Sequence, residues 1–194
     1  NKTSYTLYFI SHRLKLRGAM KGIIFNVLEE MIVEQAGMEV WNTLLEKHTP
    51  QNRVYVSAKN YPETELFAIA TDVAALLNVP LQQVVKAFGQ YLFSGLATRH
   101  TGVMTRFSGF TSLVMGIHNV IHVEVNKLYH EPALPTISCV LVNNHNIELT
   151  YHSPRKLCFC AEGLIFGAAE YYQQAITIKH GDEKCILNIE LIND

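Results

Sequence analysis

The amino-acid sequence predicts an α+β fold, in which a helical N-terminal part precedes a C-terminal antiparallel sheet with helices packed against it. Apolar residues recur at helical spacing through the first two-thirds of the chain. After Pro132 and Pro135 the pattern changes to alternating, β-branched runs. The chain has 194 residues, 48% of them hydrophobic and 17% charged, which is enough apolar material for one sizeable core.

Glycines and prolines divide the helical part. Gly37 follows the first apolar-periodic run as a C-terminal cap would, and Pro62 and Pro80 each fit the start of a helix. Residues 52–62 are polar and predict a connecting loop. The predicted helices are residues 22–37, a short helix around Trp41 and Leu45, residues 62–77, residues 80–96 and one long helix at residues 111–129.

The last third of the chain predicts two hairpins with a helix between them. Residues 136–142 alternate, residues 143–146 (Asn-Asn-His-Asn) form a turn, and residues 147–151 continue as a strand toward Arg155. Residues 158–174 return to helical spacing. Residues 175–179 and 185–191 predict a closing hairpin.

Charge and composition exclude several classes of protein. The net charge of -1 argues against a basic nucleic-acid footprint. No apolar run reaches the roughly eighteen residues of a membrane-spanning helix. The chain has 4 cysteines, Cys139, Cys158, Cys160 and Cys185. They are too few and too scattered for a disulfide-dense secreted domain. Their number and spacing therefore favour a reducing, cytoplasmic location.

Residues 1–19 differ from the rest of the chain. They contain no acidic residue, and their apolar stretch at residues 5–10 precedes the basic cluster, the reverse of a signal peptide. We interpret them as a leader or an appended extension outside the fold, with residues 20–194 as the domain. The alternative is an arm that binds a membrane surface.

Two histidines one helical turn apart are the first candidate site. His118 and His122 share one face of the predicted helix and could bind a metal. A zinc hydrolase of this type needs Glu directly after the first histidine, where this chain has Asn119, so that class is excluded. The neighbouring residues are apolar, which leaves two interpretations: a hydrogen-bonded core histidine, or an axial haem ligand.

Tyr151, Ser153 and Arg155 are the second candidate site. On a continuing strand these alternate residues share one face and present three hydrogen-bond donors. Arg155 can bind a carboxylate through two nitrogens, so the row suits a ligand with carboxylates such as the haem propionates. The alternative is an exposed strand face with an ordinary ion pair.

The cysteines give a weaker indication. Cys158 and Cys160 are spaced poorly for a closed zinc site, and they are interpreted either as reactive thiols at a helix start or as small buried residues. His180 and Cys185 flank a turn but supply only two of the four ligands that zinc needs. The Cys-x-x-Cys-His attachment sequence is absent, so any haem is held non-covalently.

Four motifs in order and spacing resemble one known family. They are Met20-Lys21-Gly22, Ile-His-Val-Glu-Val-Asn-Lys at residues 121–127, Leu134-Pro135, and Tyr151-x-Ser153-x-Arg155. From Met20 onward the chain resembles the H-NOX family, the haem-nitric oxide/oxygen binding domains related to the haem domain of soluble guanylate cyclase. It looks most like the stand-alone bacterial members. The resemblance implies the H-NOX fold, with haem between the helical part and the sheet.

The resemblance implies a role for each matching residue. His122 takes the position of the iron ligand, Tyr151, Ser153 and Arg155 take the positions of a propionate clamp, and Pro135 takes that of the proline that bends the porphyrin. The residues at the positions that line the pocket above the haem are Ile24, Leu28, Leu92, Leu96, Cys160 and Leu164. Oxygen-binding members have Tyr where this chain has Cys160, a weak donor, so the resemblance implies selectivity for nitric oxide.

The implied function is that of a sensor without catalytic activity. Ferrous haem b would bind nitric oxide, or carbon monoxide, and the protein would regulate a histidine kinase or a cyclic-di-GMP enzyme (a diguanylate cyclase or a phosphodiesterase). Two alternatives stay open: a thiol-based redox sensor with structural haem, and a haem enzyme that consumes nitric oxide or peroxide. The family resemblance also implies a Cys/His zinc site in the closing hairpin, although residues 180–185 are short for one.

Overall fold

The computed structural model describes residues 18–130, 132–181 and 185–192, and it has the predicted α+β architecture. The helices are α1 (Gly22–Ala36), α2 (Met38–His48), α3 (Glu63–Leu77), α4 (Leu81–Arg99), α5 (Thr101–Met104), α6 (Phe110–Met115), α7 (His122–Leu128) and α8 (Cys158–Tyr171). The strands are β1 (Ala19–Lys21), β2 (Asn60–Pro62), β3 (Thr136–Asn143), β4 (Asn146–His152), β5 (Ile176–His180) and β6 (Cys185–Leu191).

Two short strands near the N-terminus correct the sequence interpretation. β1 pairs with β2 in antiparallel register, Met20 opposite Tyr61, so the predicted loop at residues 52–62 contains a strand. The loop also contributes two buried side chains, Tyr55 and Tyr61, which pack on Phe25. Ala19 lies in β1, so the fold begins before Met20; the rest of the predicted leader, residues 1–17, lies outside the described residues.

The predicted long helix at residues 111–129 is wrong as a single α-helix. Between α6 and α7 the chain forms a π-helical turn, Ile117–Ile121. The N–H groups of Val120 and Ile121 both donate to the carbonyl of Gly116, at 2.8 and 3.2 Å, which widens the turn. β-Branched side chains are frequent there and disfavour a regular α-helix. His122 therefore begins a new helix directly after the π-helical turn.

The C-terminal sheet has four antiparallel strands in the order β3-β4-β6-β5, so it contains the two predicted hairpins and joins them by pairing β4 with β6. Its inner face carries Ile147, Leu149, Leu187 and Ile189, each no more than 1% exposed. β4 ends at His152, so Ser153 and Arg155 do not continue the strand face of Tyr151 as predicted. The reason is local: Pro154 has no N–H for the ladder, and Lys156 adopts a φ of 52°.

Helices α4 and α8 hold the two parts of the protein together through glycines. A Cβ atom on Gly163 would lie 2.0 Å from the carbonyl oxygen of Lys86, and one on Gly89 would lie 2.3 Å from that of Cys160. Neither contact partner can move easily, because both are helix backbone. The close approach of the two helices therefore depends on the absence of side chains at these positions.

We expect Gly163→Ala to lower the free energy of unfolding by roughly 1–3 kcal/mol or more, because α4 and α8 must separate to admit the methyl group. Urea denaturation measures this. Gly102→Ala is the matched control, since a Cβ there meets nothing within 4 Å, and it should be neutral or stabilising by about 1 kcal/mol. Equal effects of the two substitutions on the free energy of unfolding would contradict a cost that comes from the close contact of α4 and α8.

Within the part of the chain that the structure describes, no single helix is long and apolar enough to cross a membrane. α3 and α4 have the required length and composition only when taken together, and the chain bends by 113° between them.

Candidate functional site

A cavity of about 380 Å³ lies between the helical part and the sheet. Helices α1, α3, α4, α7 and α8, the 132–135 segment and strand β4 contribute most of the lining residues. The lining is mainly aliphatic and aromatic. Ten of the eleven residues that the sequence singled out line it: Ile24, Leu28, Leu92, Leu96, His122, Pro135, Tyr151, Arg155, Cys160 and Leu164. Ser153 does not.

His122 is placed in the cavity wall by the π-helical turn that precedes it. Burial, together with the nearby His118, lowers the pKa of its imidazole below the ordinary 6.5. The ring of His118 packs edge-on against that of His122 with 6.2 Å between centroids, but His118 does not line the cavity. His122 therefore presents a neutral imidazole, the form that binds a metal.

The lowered pKa of His122 predicts how stability depends on pH. Unfolding restores a pKa of about 6.5, so between the lowered pKa and 6.5 the unfolded chain binds more protons than the folded one. The free energy of unfolding of the haem-free protein should therefore fall as the pH drops through 6.5. Above that range the group contributes nothing, because the imidazole is neutral in both states.

Urea denaturation at pH 7.5, 6.5 and 5.5 tests this. His122→Gln should lose less stability over that range than the wild type. His152→Gln, at an exposed position, controls for removing an imidazole as such. A His122→Gln profile parallel to that of the wild type would contradict the assignment of this pH dependence to His122.

Arg155 is fixed at the rim of the cavity by three partners. Its guanidinium donates to Glu63 Oε2 at 2.5 Å, to the carbonyl of Ala19 at 2.7 Å and to the carbonyl of Ala133 at 2.5 Å. The side chain is only 10% exposed. Glu63 and Ala19 belong to the N-terminal part, so Arg155 links that part to the turn after β4. A guanidinium has five N–H donors, so these three bonds leave capacity for a carboxylate.

Tyr151 and Ser153 both neighbour Arg155, but only Tyr151 lines the cavity. Tyr151 is buried at the end of β4, and burial raises its pKa, so the phenol keeps its proton and can donate. Hydrogen bonds from Ser153 and from the backbone of Leu157 partly offset that rise. Ser153 Oγ also accepts from the backbone N–H of Arg155 at 3.3 Å. Ser153 thus holds its two neighbours and is not itself at the cavity.

Cys160 lies in the cavity wall, in the first turn of α8. Burial of its sulfur raises the pKa of the thiol to about 12, so it is a neutral, weak hydrogen-bond donor. The predicted neighbours on this wall are aliphatic. Sequence reasoning missed further lining residues, among them Phe88, Phe93, Met104, Ile117 and Ile121. The helical period of α4 would have found Phe88, which lies one turn before Leu92.

The closing hairpin differs from the sequence interpretation. Cys158 and Cys185 form a disulfide, whereas the sequence reading treated all four cysteines as thiols. Cys139 and Cys160 are the free thiols. Within the described ranges no group of three His, Cys, Asp or Glu side chains is arranged to hold a metal ion. The residues present there do not fit a closed zinc site, because both sulfurs are already bonded to each other.

The cavity fits haem by its donor set. One wall offers a neutral imidazole, the rim offers a fixed guanidinium and a phenol, and the remaining surface is mainly apolar. These are the groups that bind an iron, two propionates and a porphyrin face. Fold and site together define a cofactor-binding domain of the haem class.

The comparisons with known proteins identify the family. The family model described as Haem-NO-binding matches residues 21–180, and the chain therefore belongs to the H-NOX family. No curated protein matches the chain.

Solved structures agree with the family assignment. An H-NOX protein from Shewanella oneidensis in the Fe(II)NO state is 64% identical with a TM-score of 0.87, and the match covers 90% of this chain and 100% of that one. The same coverage, with 65% identity and a TM-score of 0.84, holds for the Shewanella oneidensis domain in the Fe(II)CO state. An H-NOX from Shewanella woodyi, bound to IWP-051, is 31% identical with a TM-score of 0.77 over 90% of this chain and 95% of that one.

Proposed function

We propose that this protein is a haem-based nitric oxide sensor that binds the gas at a ferrous, non-covalently held haem b and regulates a signalling partner. The observation that carries the proposal is the apolar cavity with the neutral imidazole of His122 in its wall and Arg155 at its rim. When bound, the haem supplies an iron position at which a gas can bind. The Fe(II)NO and Fe(II)CO states of the Shewanella oneidensis protein support this proposal.

The residues have distinct roles in the proposal. His122 is the protein ligand to iron. Tyr151 and Arg155 donate hydrogen bonds to the propionates, and Ser153 positions Tyr151 and Arg155. Pro135 lies in the cavity wall and would contact the porphyrin. The pocket for the gas is formed by Ile24, Leu28, Leu92, Leu96, Cys160 and Leu164.

The wall around Cys160 favours nitric oxide over oxygen. Bound dioxygen carries partial negative charge and gains from a strong donor such as a phenol, whereas nitric oxide binds ferrous iron tightly without one. Cys160 is a protonated thiol and a weak donor, and its predicted neighbours on that wall are aliphatic. This electrostatic argument supports selectivity for nitric oxide.

The cavity gives less support to a haem enzyme. Peroxide chemistry needs a proton-handling group on the gas side. The other histidine of the lining, His100, packs edge-on against Tyr129, which directly follows the His122 helix. His100 therefore lies beside the end of the His122 helix, and none of the residues proposed for the gas pocket is a histidine or an arginine. We therefore propose a sensor without catalytic activity of its own.

Signalling requires that the site be coupled to the surface of the protein. Lys21 Nζ donates to the carbonyl of His130 at 2.6 Å, just beyond the His122 helix, and Arg155 donates to the carbonyl of Ala19. Strand β1 is therefore in contact with both sides of the site. His122 on α7 would hold the haem iron at which the gas binds, so α7 and strand β1 would connect the site to the N-terminal part. We propose that a histidine kinase or a cyclic-di-GMP enzyme in the cytoplasm reads the effect of gas binding through this connection.

Absorption spectra of the reduced, haem-loaded protein test the proposed function. We expect nitric oxide and carbon monoxide each to shift the spectrum, and we expect air to give no persistent oxygen-bound spectrum at room temperature. Like the wild type, Cys160→Ala should show no persistent oxygen-bound spectrum, because the substitution removes only a weak hydrogen-bond donor. A lasting oxygen spectrum in aerated buffer would overturn the selectivity argument, and failure to bind haem would overturn the proposal itself.

The signalling half of the proposal needs its own measurement. Candidate sensor kinases and cyclic-di-GMP enzymes are assayed with the unliganded and the nitric oxide-loaded protein. Regulation should differ between the two states by at least about fivefold, the lower end of typical allosteric coupling.

A further inference from the structure

Residues 132–135 form one edge of the mouth of the cavity. All four residues line the cavity, and none of them belongs to a helix or a strand. Arg155, whose guanidinium lies at the rim, donates to the carbonyl of Ala133 at 2.5 Å. Ala133 is exposed and the other three residues of the segment are partly exposed, so the core of the protein does not enclose this part of the wall.

Two prolines limit how this segment is held in place. Pro132 and Pro135 have no N–H, and the N–H of Leu134 donates within the segment, to the carbonyl of Pro132 at 2.9 Å. Of the segment's amides, only that of Ala133 is left for a bond to another element. A full backbone ladder, such as the one that holds β4 between β3 and β6, is therefore impossible here. A segment with so few backbone hydrogen bonds opens at a lower free-energy cost than a helix or a central strand.

Lys21 ties the chain just before this segment to the N-terminal part. Its ammonium donates to the carbonyl of His130 at 2.6 Å and to that of Ala58 at 3.2 Å. The lysine is itself fixed, because β1 is paired with β2 and the next residue, Gly22, packs on backbone. A Cβ atom on Gly22 would lie 2.2 Å from the carbonyl oxygen of Val56. Lys21 therefore fixes the approach of the chain to the 132–135 segment.

We propose that the 132–135 segment is the gate through which haem enters and leaves the cavity, and that Lys21 is the positioning residue that holds this gate closed. The proposal rests on the proposed function, since haem is the ligand that passes the gate. The other walls open less easily, because α4 and α8 are in backbone contact and β4 is bonded on both sides. The gate also gives a role to the Met20-Lys21-Gly22 motif, which the haem-binding residues leave unexplained.

Loss of Lys21 and loss of Arg155 have different expected consequences. Arg155 holds the same segment through Ala133, but it also binds a propionate in the proposed function, so its removal changes the bound state as well. The two bonds of Lys21 join protein atoms to protein atoms, and neither needs a haem atom. Their loss lowers the barrier to opening from both sides of the gate. Haem uptake and haem release should therefore accelerate by the same factor, with no change in haem affinity.

The first experiment measures both rates on the full chain. Release is followed by transfer of haem to excess apomyoglobin, and uptake by mixing haem with haem-free protein whose fold is checked by far-UV circular dichroism. Lys21→Met should raise both rates at least about tenfold, because a charged hydrogen-bond donor is lost. Its absorption spectrum with haem bound should be that of the wild type. Lys59→Met, which removes an exposed lysine of the neighbouring loop, is the matched control and should leave both rates unchanged.

Amide hydrogen exchange measures the gate without any haem transfer. The N–H of Leu134 reports on opening of the segment, since its bond to the carbonyl of Pro132 must break before it exchanges. Lys21→Met should speed exchange at Leu134 at least about tenfold, by loss of the same charged hydrogen bonds. The N–H of Leu149, buried in β4, should exchange at the wild-type rate, because the sheet does not open with the gate.

Four results would overturn the proposal. Wild-type rates of uptake and release in Lys21→Met would show that Lys21 does not hold the gate. Faster release with unchanged uptake would make Lys21 a direct contact of bound haem. Equal acceleration of exchange at Leu134 and Leu149 would indicate a general loss of stability. A wild-type protein that takes up no haem would overturn the proposed function and the gate together, even where exchange at Leu134 responds to Lys21→Met.

Discussion

Replacing His122 with glycine is expected to give a folded protein that purifies without haem. His122 is one of two histidines in the cavity lining, the other being His100, and the lowered pKa of His122 keeps its imidazole available to iron at neutral pH. Loss of the direct ligand should weaken haem binding by more than the roughly 10- to 100-fold that loss of an outer-shell partner costs. The ratio of haem absorbance to protein absorbance after purification measures the effect.

The neighbouring histidine provides the control. His118→Gly makes the same substitution one helical turn earlier, at a residue outside the cavity, and should keep its haem. Free imidazole should restore haem to His122→Gly, because it can occupy the space of the missing ring, and far-UV circular dichroism should show that both variants fold. If His118→Gly loses haem while His122→Gly keeps it, the assignment of the ligand is wrong.

The sequence predicted the fold well where local pattern decides the structure. Gly37 ends α1 with a φ of 91°, and the hairpin of β5 and β6 lies where alternation and turn residues placed it. The sequence predicted the fold poorly where tertiary contacts decide the structure. Residues 52–62 look like a polar loop, but Tyr55 and Tyr61 are buried against Phe25, an arrangement that no local period records.

The candidate site shows the same division. Ten residues of the cavity wall could be predicted from the family resemblance, but the rest of the lining and its surroundings could not. The spacing of Tyr151, Ser153 and Arg155 suggested a continuing strand, but Pro154 ends it, and Ser153 supports the site from outside the cavity. Glu63 lies 92 residues from Arg155 in the chain, and only the folded structure brings the two together.

Arg155→Ala should weaken haem retention by roughly 10- to 150-fold, the equivalent of the roughly 1.5–3 kcal/mol of a hydrogen bond to a charged group. Arg155→Lys should restore only part of this, since an ammonium cannot bind a carboxylate through two fixed nitrogens. The measurement is the rate of haem transfer to excess apomyoglobin. Removing the guanidinium also breaks its bonds to Glu63, Ala19 and Ala133, so haem loss in this variant has two physical causes.

Glu63→Gln separates the two causes. It removes the ion pair with Arg155 but leaves the guanidinium and its bonds to the two backbone carbonyls. If Arg155 acts by binding propionate, Glu63→Gln should release haem no more than a few-fold faster than the wild type, while Arg155→Ala releases it much faster. If both variants release haem equally fast, Arg155 acts by joining the N-terminal part to the turn after β4. Wild-type retention in Arg155→Ala would show that the clamp does not depend on this residue, and would leave Tyr151 as the remaining donor at the rim.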